Sequence, residues 1–79
     1  MNKADRRTNY KNEDFIKAVG QRIRAIRLER NRTQEDLAID CGVDYSQINR
    51  MELGERNFSI SFLELVARHL SVDPKELLP

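Results

Sequence analysis

Residues 33–54 read TQEDLAIDCGVDYSQINRMELG, and they spell two short helices with a sharp corner between them. The Thr33 hydroxyl can accept a hydrogen bond from the third helical residue. Asp36, at that residue, can return one to the Thr33 backbone, so Thr33-Gln34-Glu35-Asp36 forms a capping box. Leu37 and Ala38 face inward from the helix it opens, and Gly42 stops that helix after about eight residues. Asp44 caps the next helix, with Gln47 at its third position. Ile48 and Met51 supply its apolar contacts, and Gly54 ends it. The link Gly42-Val43-Asp44 leaves room only for a tight turn.

Working outward, Asn12 is an N-cap for a helix that begins with Glu13 and Asp14, both favourable in a first turn. Phe15, Ile16, Val19, Ile23 and Ile26 fall at helical spacing and predict one buried stripe. Arg22, Arg24, Arg27 and Arg30 surround it. This helix should end near Arg30, with Asn31 left-handed. On the other side, Glu55-Arg56-Asn57-Phe58 reads as a polar loop, and Ser59 caps a fourth helix. Its inward set is Ile60, Leu63, Val66, Ala67 and Leu70. After a break at Ser71-Val72, Asp73-Pro74-Lys75-Glu76 starts a short last helix that Leu77 and Leu78 finish. The expected fold is therefore all-α: a compact five-helix domain over residues 12–79, its central pair of helices at about 33–54. Residues 1–11, MNKADRRTNYK, are polar and aperiodic and read as a flexible arm. No strand pattern, internal repeat or Gly-rich phosphate loop occurs.

A chain of 79 residues is one small domain, and such a domain buries only about 60% of its unfolded surface. A partner surface would help it. Leu53, Phe62, Leu65, Val72, Leu77 and Leu78 exceed what one small core needs, so some are expected to pack against a second subunit. No apolar run approaches the roughly 20 residues that span a bilayer, and no stretch near the start resembles a signal peptide. A cytoplasmic location and no membrane partner are expected. One cysteine, Cys41, and one histidine, His69, leave no internal disulfide and argue against a structural zinc site. Cys41 reads as a small packing residue, with a redox switch as the alternative. No metal and no cofactor are expected. With no nucleophile–base pair and no phosphate loop, the chain does not read as an enzyme. With no separate ligand domain, no small-molecule ligand is expected.

The net charge is only +1, but it is unevenly spread: residues 1–32 hold ten Lys/Arg against four Asp/Glu, and residues 33–79 hold four against nine. A basic first third can mark a polyanion-binding edge; a solvated, charge-laced helix is the alternative. Glu64, Asp73 and Glu76 lie far along the chain, on the last two helices. Glu35, Asp36, Asp40 and Asp44 are nearer the central pair and would reduce non-specific affinity for a polyanion.

Two short helices joined by a tight glycine turn are a helix-turn-helix. Residues 20–78 resemble the lambda-repressor/Cro-type (XRE-like) helix-turn-helix family. The resemblance rests on Gly20, the Arg24 and Arg27 pair, Thr33-Gln34-Glu35-Asp36-Leu37-Ala38, Gly42, Ile48, Glu52, Gly54, and Leu63, Ala67 and Leu70. The loop Gly54-Glu55-Arg56-Asn57 and the compact length resemble the controller proteins of restriction–modification systems. The resemblance implies a lambda-repressor-like DNA-binding domain. It also implies a sequence-specific regulator of transcription that binds double-stranded DNA as a homodimer on a two-fold symmetric operator.

In such folds the second helix of the motif lies in the major groove. With Ile48 and Met51 turned inward, Tyr45, Ser46, Asn49 and Arg50 project outward as the expected base-reading residues. Arg50 can bond a guanine in bidentate fashion. The family often has Gln where Tyr45 stands, so its base preference does not transfer. Gln34 matches a family phosphate contact at a helix N-terminus, where free N–H groups favour an anion. Arg32, just before that N-terminus, is a further expected phosphate contact, standing where the family more often has an apolar residue. Gln47, Arg56, Asn57 and Ser59 form a second expected phosphate clamp, which orients the protein without reading sequence. Arg27 and Glu52 match a pair the family uses as an internal salt bridge. His69 reads as a surface or partly buried residue. The arm residues Lys3, Arg6, Arg7 and Lys11 are solvated or wrap around DNA. The alternative function is an antitoxin-like protein-interaction module with autoregulatory DNA binding. Such proteins usually carry an added toxin-binding segment, and the polar arm is a poor candidate for one.

Overall fold

The computed structural model describes residues 11–79, and the arm expected over 1–11 lies outside it except for Lys11. The chain forms α1 (Glu13–Glu29), α2 (Gln34–Cys41), α3 (Tyr45–Leu53), α4 (Ile60–His69) and a 3-10 turn (Pro74–Leu77). No strand occurs among the described residues.

The starts follow the sequence. Asn12, Thr33 and Ser59 each accept a hydrogen bond from the third residue of their helix, at 3.0 Å in every case. Asp36 returns one from the Thr33 N–H at 3.0 Å, and that bond holds its carboxyl below the usual carboxylate range. Gln47 Oε1 accepts from the Asp44 N–H at 3.2 Å.

All four α-helices also end alike. Asn31, Gly42, Gly54 and Ser71 take a left-handed backbone. The next residue's N–H then donates five residues back, Arg32 to Arg27, Val43 to Ala38, Glu55 to Arg50 and Val72 to Ala67. This wrap satisfies carbonyls that would otherwise be orphaned. Gly54 also needs its bare Cα for space, because a Cβ there would lie 2.7 Å from the Lys17 Cα.

The core gathers one stripe from each helix. Ile23, Leu37, Ile48, Val66 and Leu77 are fully buried, with Val19, Ile26, Met51 and Leu70 around them. α1 crosses α3 closely at Gly20. A Cβ on Gly20 would meet the Met51 carbonyl oxygen and come within 2.6 Å of that of Glu52.

Four expectations are corrected. The last element is a single 3-10 turn, so the fold has four α-helices rather than five; a segment of four residues, the first a proline, is too short for an α-helical hydrogen-bond ladder. Phe15 and Ile60, assigned to inward stripes, are 48% and 86% exposed, because each sits at the first turn of its helix beyond the reach of the core. Leu77, one of the six residues counted as more than one core needs, is fully buried in that core. Phe62 and Val72 pack against the core as well.

Candidate nucleic-acid interface

α3 is held from beneath by Ile48, Met51 and Glu52, all buried. Its other face is open. Tyr45, Ser46 and Arg50 are exposed and Asn49 is half-buried. The four fall in two neighbouring rows. Tyr45 and Asn49, one turn apart, border a hollow between α1 and α3 whose wall carries Lys17, Gln21 and Arg24. Ser46 and Arg50, the neighbouring pair at the same spacing, stay outside it on the solvent crest of the helix.

The anchor of this arrangement is a buried ion pair. Arg27 Nε donates to Glu52 Oε2 at 2.6 Å and its second guanidinium nitrogen donates to Oε1 at 3.0 Å. Arg27 also donates to the Arg32 carbonyl at 2.7 Å. The two residues are 6% and 5% exposed, and the bond to Glu52 raises the Arg27 pKa against the desolvation that would lower it. Each charge thus meets a partner with fork geometry, as burial requires. The pair ties α1 to α3 and, through Arg32, to the start of α2.

Gln34 stands in the first turn of α2, and its amide Nε2 donates to Glu52 Oε1 at 2.9 Å. Its side-chain donor is thus engaged inside the protein. The capping box satisfies the N–H groups of Thr33 and Asp36, which leaves those of Gln34 and Glu35 as the open donors of the turn. Arg32 forms an ion pair with Asp40, so the departure from the family's apolar residue is accommodated within the protein.

Gln47, Arg56 and Asn57 are brought together around a second hollow at the far end of α3. Ser59 does not border it; its hydroxyl oxygen caps α4. Lys11 reaches the Glu55 carbonyl at 3.3 Å, on the same loop. The remaining α1 arginines divide. Arg22 and Arg30 donate to the carbonyls of Glu76 and Leu70, at 3.0 and 2.9 Å, and fasten the C-terminal segment. Arg24 makes no such bond and lines the first hollow. Sequence reasoning placed Arg24 among the residues flanking α1 but missed Lys17 and Gln21. The available signal was their helical spacing: Gln21 stands three residues before Arg24, and Lys17 four before Gln21. His69 is half-buried, and Cys41 is partly buried with its thiol pushed up, first by burial and then by Asp40. A raised thiol is a poor nucleophile, which favours packing for Cys41.

α3 thus exposes one face between two hollows, one bordered by Lys17 and Arg24 and the other by Arg56. Residues 23–77 match the family described as helix-turn-helix, and the chain belongs to this family of DNA-binding transcriptional regulators. It is 42% identical over 60 residues to Control protein C.BamHI of Bacillus amyloliquefaciens, a match spanning 75% of this chain and 74% of that protein. The structure is similar to that of the restriction-modification controller protein C.AhdI from Aeromonas hydrophila. The TM-score is 0.77 with 35% identity, over 80% of this chain and 96% of that one. It is also similar to SinR, the master regulator for biofilm formation, in complex with DNA: TM-score 0.70 and 37% identity, over 75% and 95% of the two chains. Among the described residues no helix is long and apolar enough to cross a membrane.

Proposed function

We propose that the chain is a sequence-specific regulator that binds double-stranded DNA as a homodimer on a two-fold symmetric operator, and that the genes it controls belong to a restriction–modification system. The observation that carries this reading is α3 itself, a helix locked to the body by a buried ion pair while Tyr45, Ser46 and Arg50 stand in solvent. Similarity to two controller proteins supports the assignment of the regulated genes.

In this reading α3 enters the major groove. Ser46 and Arg50 lead, and Arg50 takes a guanine O6 and N7. Tyr45 and Asn49 read the edge of the groove nearer α1. One phosphate rests against the open N–H groups of Gln34 and Glu35, with Lys17, Gln21, Arg24 and Arg32 around it. Gln34 contributes through its backbone while its side chain stays on Glu52, so it steadies the anchor and marks the phosphate at once. A second phosphate rests against Gln47, Arg56 and Asn57, with Ser59 left to its capping role. Two copies place their recognition helices about 34–36 Å apart, one turn of the duplex.

The test is fluorescence anisotropy with genomic upstream fragments and random DNA at two salt concentrations. One fragment should bind far more tightly than random DNA, and Arg50→Ala should cost about 1–3 kcal/mol per half-site on that fragment alone. Equal weak binding to every fragment at both salts would sink the assignment of α3 as the reading helix.

A further inference from the structure

The Arg32 guanidinium forms an ion pair with Asp40. The Arg32 backbone is pinned on both sides. Its N–H donates to the Arg27 carbonyl at 3.1 Å, and its own carbonyl accepts from the Arg27 guanidinium at 2.7 Å. Only the side chain is left to move. Arg32 borders the hollow between α1 and α3 together with Gln34 and Glu35, and Asp40 does not. Asp40 lies six residues along α2 from Gln34, about 9 Å at the helical rise per residue. The pair therefore draws the charge along α2, away from the open N–H groups of its first turn.

We propose that Asp40 is a latch on Arg32: the guanidinium leaves Asp40 for a DNA phosphate at the start of α2, and the pair sets how tightly the protein holds any duplex. The inference rests on the DNA-binding reading above and names the residue that tunes its first phosphate contact.

Magnitudes favour exchange over a permanent pair. The side chains of Arg32 and Asp40 are 33% and 32% exposed, and an exposed pair shifts an equilibrium by no more than about 5-fold. One phosphate contact on a duplex releases a condensed counterion and contributes about 8-fold between about 1 M and 0.1 M salt. The phosphate wins, but Asp40 removes most of the gain. Asp40 acts through Arg32 rather than on the phosphate itself. It stands about 9 Å along α2 from the phosphate site, beyond the Debye length of about 8 Å at physiological salt, so its direct repulsion is screened.

The test is a double-mutant cycle on the full chain, read by fluorescence anisotropy with random-sequence duplex DNA at physiological and at higher salt. Asp40→Asn should tighten binding by about 3–5-fold per bound copy at physiological salt. In an Arg32→Ala background the same change should do less than about 1.5-fold. Arg32→Ala alone should lower the slope of log affinity against log salt by about 0.9 per bound copy, and Asp40→Asn should leave that slope within about half as much. Glu64→Gln frees Arg68 from the like exposed pair on α4. It controls for charge alone and should change affinity by less than about 1.5-fold. Circular dichroism and melting should stay as in the wild type. Should Arg32→Ala lose helix, Arg32→Gln takes its place in the cycle. Equal tightening with and without Arg32 would show that Asp40 acts as a plain negative charge, and the latch fails. Weaker binding by Asp40→Asn would show that Asp40 presents Arg32 to the phosphate, which also overturns it. A slope steeper by about 0.9 per copy for Asp40→Asn would mean that Arg32 never leaves Asp40 in the wild type, and the exchange is wrong. If the wild type binds no duplex at either salt, the DNA-binding reading fails and this inference with it. If the wild type binds and the cycle shows no coupling, only the latch falls.

Discussion

Arg27 and Glu52 show how one buried pair can hold an exposed helix in place from inside the protein. Their bonds fix the angle between α1 and α3 and receive the Gln34 amide. Removing either partner leaves a buried, uncompensated charge. Arg27→Ala and Glu52→Ala should each lose about 3–5 kcal/mol in urea unfolding. Replacing both with apolar residues of similar volume should be near neutral or stabilising. A single variant that loses less than about 1 kcal/mol would mean the pair behaves as an exposed one. The identity of this pair came from family resemblance, and its geometry agrees. The engagement of Gln34 by Glu52 was not legible, because the residues are 18 positions apart and only the crossing of α2 and α3 brings them together.

At the scale of elements, helix starts were written in the sequence and helix ends less so. Caps act within three residues, so Asn12, Thr33 and Ser59 could be read directly. Gly42, Gly54 and Asn31 announce left-handed ends because they tolerate that backbone. Ser71 has no such reputation, and its left-handed turn follows from Val72 packing back on the core. Gly20 was noticed as part of a pattern, but its physical reason is the crossing of α1 over α3. Gly20→Ala gains helix propensity yet drives a methyl into two backbone carbonyls. The net result should be a loss of about 1–3 kcal/mol, the usual cost of overpacking, seen as a lower melting temperature. A variant as stable as the wild type would show that α1 can move away freely.

For the whole molecule, a net charge of +1 hides a division of labour. Among the described residues, Arg22, Arg27 and Arg30 bind the protein to itself, whereas Lys17, Arg24 and Arg56 border the two hollows beside α3. Each phosphate contact adds about 0.9 to the slope of log affinity against log salt. Arg56→Ala should therefore lower that slope by about 2 on a full two-fold site, one contact from each copy. A change of about 1 would indicate a single bound copy.

What the sequence alone determined was everything set by neighbours a few residues apart. That covers the all-helical class, the bounds of α1 to α4, the corner at Gly42 and the outward side of α3. Those features depend on caps, periodicity and backbone preference, which act locally. Only the tertiary structure decided which apolar residues the small core could take in. It drew Leu77 fully inside and left Phe15 and Ile60 out, because burial depends on where helices cross. It also split Tyr45 and Asn49, which border a hollow, from Ser46 and Arg50, which stand on a crest, since α1 shelters one side of that helix and leaves the other to solvent.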